Sequence, residues 1–292
     1  MQKIDFLLIG AQKSGTTTLY DWLQQVPDIF LPSIKENRYF ADDEFYRQGE
    51  AWLETYYRGY AGQTVVGGAY VHLLYFPHCA ERIRAYNPRM RMLTVLRDPV
   101  DRAYSAYWFA RSKGWETART FEEALGLEAV RRVGSYQDRS ELTYLDHGRY
   151  ARQLRNYYAS FDRGQILVLL NEDLKDDRAR ALGDTLAFLG LDADVSRFNL
   201  SVASNVSGKP RVSWLQQLIS DRDAGYRRLW RRMAPPHLRL SLRETLLKPL
   251  NRWNVVQQPY EPMKDETRQR LRMEFRADNE ALADLLGRAI SW

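Results

Sequence analysis

Four short apolar runs mark the chain: Phe6 to Ile9, Thr64 to Val66, Met92 to Leu96 and Gln165 to Leu170. Turn formers bound them. Gly10 closes the first, Asn87-Pro88 precedes the third, Arg97-Asp98-Pro99 ends it, and Arg163-Gly164 opens the fourth. Runs this short, without polar alternation, suit strands buried on both faces of a parallel sheet. Between them, apolar positions at helical spacing predict helices at 16–25, 78–86, 99–112, 120–132, 149–160, 177–189, 212–220 and 265–286. In the last, Asp265 follows Pro262 as an N-cap, and Leu271, Phe275, Leu282 and Leu285 form one stripe. Strand and helix alternate from the start, so the expected fold is α/β with a parallel sheet. No repeat or low-complexity segment interrupts the pattern. The region 205–262 is richer in Arg, Pro and Trp and less regular; it reads as a lid or an acceptor-shaping part of a single domain spanning 1–292.

The first boundary carries chemistry. In IDFLLIGAQKSGTTTLYDWL (4–23), an apolar run meets a glycine turn, and Leu19, Trp22 and Leu23 then suit one helix face. Strand, tight turn and helix N-terminus in that order form an anion site, because unpaired N–H groups and the positive helix end converge. The phosphate loop of nucleoside triphosphatases reads G-x-x-x-x-G-K-[ST]. Gly10 and Gly15 have that spacing, but Thr16 stands where the lysine belongs, and Lys13 lies two residues before the second glycine. The segment is either a plain strand-to-helix turn or a site for a phosphate-bearing ligand that places its lysine elsewhere than a nucleoside triphosphate does.

Composition narrows the class. At 45% hydrophobic over 292 residues the chain can bury a large core, which excludes disorder. One cysteine, Cys79, excludes an internal disulfide framework and a cysteine-rich zinc site, and reads as a packed residue. The remaining titratable residues show no metal-ligand spacing. The first apolar run is too short for a signal peptide, and no stretch approaches the ~18–20 apolar residues of a membrane span. A cytoplasmic protein is expected. The net charge of +6 is carried by arginine clusters such as YRRLWRRM (226–233), which are either solvated helix faces or a cleft for a polyanion. Nucleic acid is not an expected partner, since zinc-finger and RNA-binding motifs are missing.

A second motif, LRDPVDRAYSAYWFAR (96–111), follows the third strand. Arg97 ends that strand, Pro99 suits a first helical turn, and Ser105 lies eight residues beyond Arg97. An arginine there can reach a phosphate at the carboxyl edge of the sheet, or simply pair with a neighbouring acid.

Together, KSGTT after the first strand and LRDPVDRAYSAY after a later one resemble the sulfotransferases that use 3′-phosphoadenosine 5′-phosphosulfate (PAPS). LPSIKENRYF (31–40) is similar to that family's K-E-x-x-[YF]-F segment. HGRYARQLRNYYASFDRGQILVLLNEDL (147–174) is similar to its G-x-Y to E-D-L stretch, and the ending LRMEFRADNEALADLLGRAISW to its C-terminus. The resemblance covers nearly the whole chain and is nearest to the bacterial and heparan-sulfate-type branch. It implies a sulfotransferase fold, a P-loop-like parallel sheet of four or five strands flanked by helices. It also implies metal-independent transfer of a sulfuryl group from PAPS to a hydroxyl, in preference to an amine, of a glycan or small molecule, with adenosine 3′,5′-bisphosphate as product.

By the same resemblance Lys13, Ser14, Gly15, Thr16 and Thr17 hold the 5′-phosphosulfate, with Lys13 at the bridging oxygen, and Arg97 and Ser105 bind the 3′-phosphate. The loop Ser204 to Arg211 is similar to one that closes over the nucleotide, with Lys209 and Arg211 on its 3′-phosphate side. Glu36 takes the position of the catalytic glutamate, where it would accept the acceptor's proton; spacing alone also allows a surface pair with Lys35 or Arg38. One departure stands out. Where many glycan-sulfating relatives carry G-E-K-[ST]-P, this chain has Gly67-Gly68-Ala69-Tyr70-Val71-His72. The auxiliary lysine is missing, which counts against a heparan-type substrate, and His72 becomes a candidate for proton transfer. Two rivals stay open: a P-loop kinase or nucleotide hydrolase with Asp98 as metal-binding acid, and a non-catalytic polyanion-binding relative.

Overall fold

The computed structural model describes residues 3–201, 209–210, 255–256 and 261–292. In chain order the elements are β1 (Phe6–Gly10), α1 (Thr16–Leu23), β2 (Ile29–Phe30), α2 (Asp43–Tyr46), α3 (Glu50–Glu54), β3 (Val65–Ala69), α4 (His78–Tyr86) and β4 (Arg91–Leu96). Next come α5 (Pro99–Ser112), α6 (Phe121–Gly126), α7 (Glu128–Arg131), α8 (Tyr136–Glu141), α9 (Tyr150–Tyr158) and β5 (Ile166–Leu170). Then follow α10 (Asn171–Asp176), α11 (Arg178–Phe188), β6 (Lys209–Pro210), β7 (Val255–Val256) and α12 (Asp265–Leu286). The residues fall into two compact units: Met1–Arg102 with Leu145–Asn205 and Gln269–Trp292, and Ala103–Tyr144 with Val206–Arg268.

The first unit is the α/β body. Its sheet has five strands in the order β2-β3-β1-β4-β5, all parallel. β1 and β3 are buried along their whole length, as their unbroken apolar or small residues require of strands covered on both faces. Alternate residues serve one face: Phe6 and Leu8 of β1 and Leu93 and Val95 of β4 join Leu19, Trp22 and Leu23 of α1 and Leu182 and Leu186 of α11 in one apolar cluster. The stripe of α12 is buried at Leu271, Phe275 and Leu282, while Leu285 stays partly open.

Several features differ from the sequence expectation. β3 runs on through Gly67, Gly68 and Ala69, although glycine disfavours strands. The reason is close packing: a Cβ on Gly67 would run into the Phe6 ring, and one on Gly68 would meet Tyr57 Oη at 2.5 Å. The two-residue edge strand β2, paired to β3 at Ile29↔Val65 and Phe30↔Val66, is too short to leave a pattern. The expected helix at 120–132 is divided into α6 and α7, and the one at 212–220 lies outside the described residues.

In the second unit a buried ion pair ties the short helices together. Both Glu116 oxygens accept from Arg131 at 2.7 Å, and Tyr144 Oη donates to Glu116 at 2.6 Å. Burial alone would raise the Glu116 carboxyl, but hydrogen bonds from Arg131, Tyr144 and the Ala118 N–H outweigh it and leave it lowered. β6 and β7 form a separate antiparallel pair. Cys79 is buried and unbridged, and burial pushes its thiol well up, as suits a packing residue. Among the described residues no helix is long and apolar enough to cross a membrane.

Strand order positions the site. From β1 the chain first builds β2 and β3 on one side, then crosses to β4 on the other. The carboxyl ends of β1 and β4 therefore border a topological switch point, where ligands bind in open α/β sheets. Residues 11–15 leave β1 there, and Arg97 leaves β4 there.

Candidate functional site

The loop after β1 is shaped for an anion by its backbone. Lys13 has φ 64° and Gly15 has φ 106°, so two left-handed residues curl the loop tightly onto the start of α1, and Ser14 N–H closes the turn by donating to Ala11 O at 3.3 Å. Gly15 is the N-cap of α1, and no side chain caps that helix. Its first-turn donors stay available to a ligand. The loop is braced by α10: Asn171 Nδ2 donates to Ser14 O at 2.7 Å, a buried contact. A Cβ at Gly15 would lie 2.9 Å from that same nitrogen, so both conformation and space demand glycine.

Arg97 is tied to this loop. Its Nη1 donates to Lys13 O at 3.3 Å, and its own carbonyl accepts from Tyr150 Oη at 3.0 Å. Tyr150 is buried, and burial pushes its phenol up to about 12, which keeps it a donor at neutral pH. Asp98 accepts from the N–H groups of Val100 at 2.8 Å and Asp101 at 3.2 Å. It is thereby the N-cap of α5, an ordinary structural task. Ser105 lies along α5 in the second unit, whereas Arg97 belongs to the first.

Glu36 reaches the same region through its neighbour. Its backbone forms a parallel bridge to Ala69, the last residue of β3, and Val71 N–H donates to Glu36 Oε2 at 3.1 Å. Lys35 Nζ donates to Glu36 Oε1 at 3.0 Å, and also lies 3.4 Å from Thr16 Oγ1 and 3.3 Å from Thr17 Oγ1. One ammonium thus links the glutamate to the first turn of α1. The Glu36 side chain is 36% exposed, enough for an acceptor to approach it. Arg38, the other partner the spacing allowed, lies instead 3.7 Å from Asp42 and over the Phe45 ring. Nearby Tyr20 is raised by burial, with Glu36 and Asp21 adding to it, and its hydroxyl donates to Pro32 O at 2.5 Å.

His72 follows Val71 but is buried. Its ring meets Tyr70 at 5.2 Å and His147 at 5.3 Å, both edge-on. Lys13, Ser14, Gly15, Thr16, Thr17, Arg97, Lys35 and Glu36 therefore form one connected set. His72 sits in the core beside it. Lys209 is described only as backbone in β6, and Arg211 lies outside the described residues. Lys35 and Asn171 were not foreseen as site residues. Lys35 had a signal, its place beside Glu36 in KENRYF; Asn171 had none, because its contact to Ser14 spans 157 positions of sequence.

Residues 3–224 match the family model of the sulfotransferase domain. The human bifunctional heparan sulfate N-deacetylase/N-sulfotransferase 3 is 29% identical over 195 residues, covering 64% of this chain and 22% of that relative. The membrane-associated sulfotransferase kil1 of Dictyostelium discoideum is 32% identical over 133 residues, covering 43% of this chain and 28% of its own length. These matches span less than a third of the length of either curated relative. Among solved structures, a sulfotransferase from Alicyclobacillus acidocaldarius is similar with a TM-score of 0.69 at 25% identity, over 100% of this chain and 98% of that one.

Proposed function

The chain belongs to the sulfotransferase family, and from that premise we propose that it transfers a sulfuryl group from PAPS to a hydroxyl, in preference to an amine, of a glycan or small-molecule acceptor. One observation carries this reading: the uncapped start of α1, reached through Lys35 by a half-open glutamate and through the Lys13 carbonyl by a strand-end arginine. The residues fit the donor, since the uncapped first turn of α1 offers backbone N–H groups to an anion and Arg97, tied to the same loop, offers a second positive pole. When bound, the donor supplies a sulfuryl group on a phosphate, and adenosine 3′,5′-bisphosphate is what remains.

The side chains then take separate tasks. Glu36 accepts the acceptor's proton at a carboxylate oxygen. Lys13 sets an ammonium where negative charge collects on the leaving oxygen, so it favours the transition state over the ground state. Thr16, Thr17 and the N-terminal N–H groups of α1 hold the phosphosulfate, and Arg97 takes the 3′-phosphate. Ser105, Lys209 and Arg211 are assigned to that phosphate on the resemblance in sequence alone. His72, buried against Tyr70 and His147, is given no proton-transfer step here. Family membership sets aside the kinase and hydrolase reading, as does the employment of Asp98 as a helix cap. The names of the heparan sulfate relatives make an amine acceptor the second reading, whereas the missing auxiliary lysine at Gly68-Ala69 counts against a heparan-type substrate.

Label carried on the sulfuryl group of PAPS should appear on members of a panel of hydroxyl and amine acceptors, and excess EDTA should leave the rate unchanged. Lys13, Arg97 and backbone donors meet the anion's charge in this scheme, and among the described residues no cluster of three or more His, Cys, Asp or Glu is placed to hold a metal. Loss of transfer in EDTA, restored by Mg²⁺, would contradict the scheme.

A further inference from the structure

Lys35 holds a position that the scheme above leaves unused. Its side chain is 16% exposed, and its ammonium lies 5.8 Å from the centre of the Tyr20 ring. Three donors of one ammonium face three acceptors: Thr16 Oγ1, Thr17 Oγ1 and Glu36 Oε1. Two of these belong to the first turn of the helix whose N-terminus is open to an anion. β3, which runs beside β1, brings no charged side chain to this place, since its sequence is VVGGA.

We infer that Lys35 is a second cation of the reaction centre, contacting the sulfuryl oxygens of the bound donor while it also holds Glu36. The inference rests on the sulfuryl-transfer reading. A neutral hydroxyl is a weaker partner for an ammonium than an anionic oxygen, so an anion seated at the first turn of α1 takes over the bonds to Thr16 and Thr17. The bond to Glu36 changes during the reaction. Once the acceptor's proton lies on Glu36, that carboxyl no longer carries charge and its attraction for Lys35 falls. The ammonium is then set wholly against the negative charge on the transferring group. Its stabilisation is greatest when it lowers the barrier most.

PAPS and adenosine 3′,5′-bisphosphate differ by the sulfuryl group, so their affinities isolate the contact. Both are titrated without acceptor on the wild type and on Lys35→Met, with Lys35→Gln as a second variant and thermal melting as a check on folding. Lys35→Met should weaken PAPS by roughly ten- to a hundredfold, the worth of one charge-assisted contact, and leave the bisphosphate within about twofold. Turnover at saturating PAPS should fall about tenfold or more, and Lys35→Arg should regain part of it. Equal losses for both ligands, or unchanged PAPS affinity in a folded variant, would overturn the role of Lys35. Failure of the wild type to bind either ligand would overturn the sulfotransferase scheme itself and this inference with it.

Discussion

Glu36→Gln should lower turnover by ~10² to 10⁴-fold at saturating acceptor and leave PAPS affinity within about twofold. The substitution keeps the side chain's size, and a glutamine oxygen can still accept from Val71 N–H, which lies 3.1 Å away in the native site. What disappears is the ability to take a proton. Among the described residues Glu36 is joined to the first turn of α1 through Lys35, which the substitution leaves in place, so the seat of the donor stays intact. A structural role would show itself otherwise, as a lower melting temperature with turnover near normal. Steady-state kinetics with donor and acceptor varied separately gives both numbers, and near-normal turnover would remove Glu36 from catalysis. His72→Asn would then be the next variant to assay, although the packing of His72 on Tyr70 and His147 favours a loss of stability over a loss of rate.

Arg97→Ala should weaken adenosine 3′,5′-bisphosphate by about ten- to a hundredfold, because a hydrogen bond to a charged group is worth ~1.5–3 kcal/mol and each ~1.4 kcal/mol is tenfold. Adenosine 5′-phosphate should be weakened far less. The structure supplies the competing outcome. Arg97 also donates to Lys13 O, and an arginine whose task is to brace the loop would, when removed, loosen the seat of the 5′ end. In that case both nucleotides would lose affinity alike, and Arg97 would brace the loop without touching a 3′-phosphate. Isothermal titration of the two ligands on the two proteins separates these results.

Much of the fold was legible where its elements are strongly patterned. The apolar runs at Phe6, Met92 and Gln165 became β1, β4 and β5, and the helical stripes over 78–86, 99–112 and 265–286 became α4, α5 and α12 with the expected bounds. β3 was cut short in the reading because the pattern carries no sign of the Phe6 ring and Tyr57 hydroxyl that make glycine necessary at 67 and 68. Within the site, the anion loop and Arg97 were visible since glycine spacing and a strand-end arginine are local signals. The part played by Lys35 was not. Adjacent residues of an extended segment normally point to opposite sides. Here Asn37 N–H turns back to Lys35 O at 3.1 Å, and the side chains of Lys35 and Glu36 meet. The contact of Asn171 with Ser14 was equally hidden, as it exists only once β5 has paired with β4 and carried α10 beneath the loop.

The loop after β1 should hold a 3′-phosphorylated adenine nucleotide, whose phosphate–sulfate anhydride bond breaks as the sulfuryl group is transferred. The most direct measurement is a calorimetric titration of the wild type in EDTA with adenosine 3′,5′-bisphosphate, followed by ATP with Mg²⁺ in a chelator-free buffer. One bisphosphate should bind per chain without metal, at least about tenfold more tightly than MgATP, since Thr16 replaces the lysine that a triphosphate requires. Tight binding of MgATP with none of the bisphosphate would contradict the account.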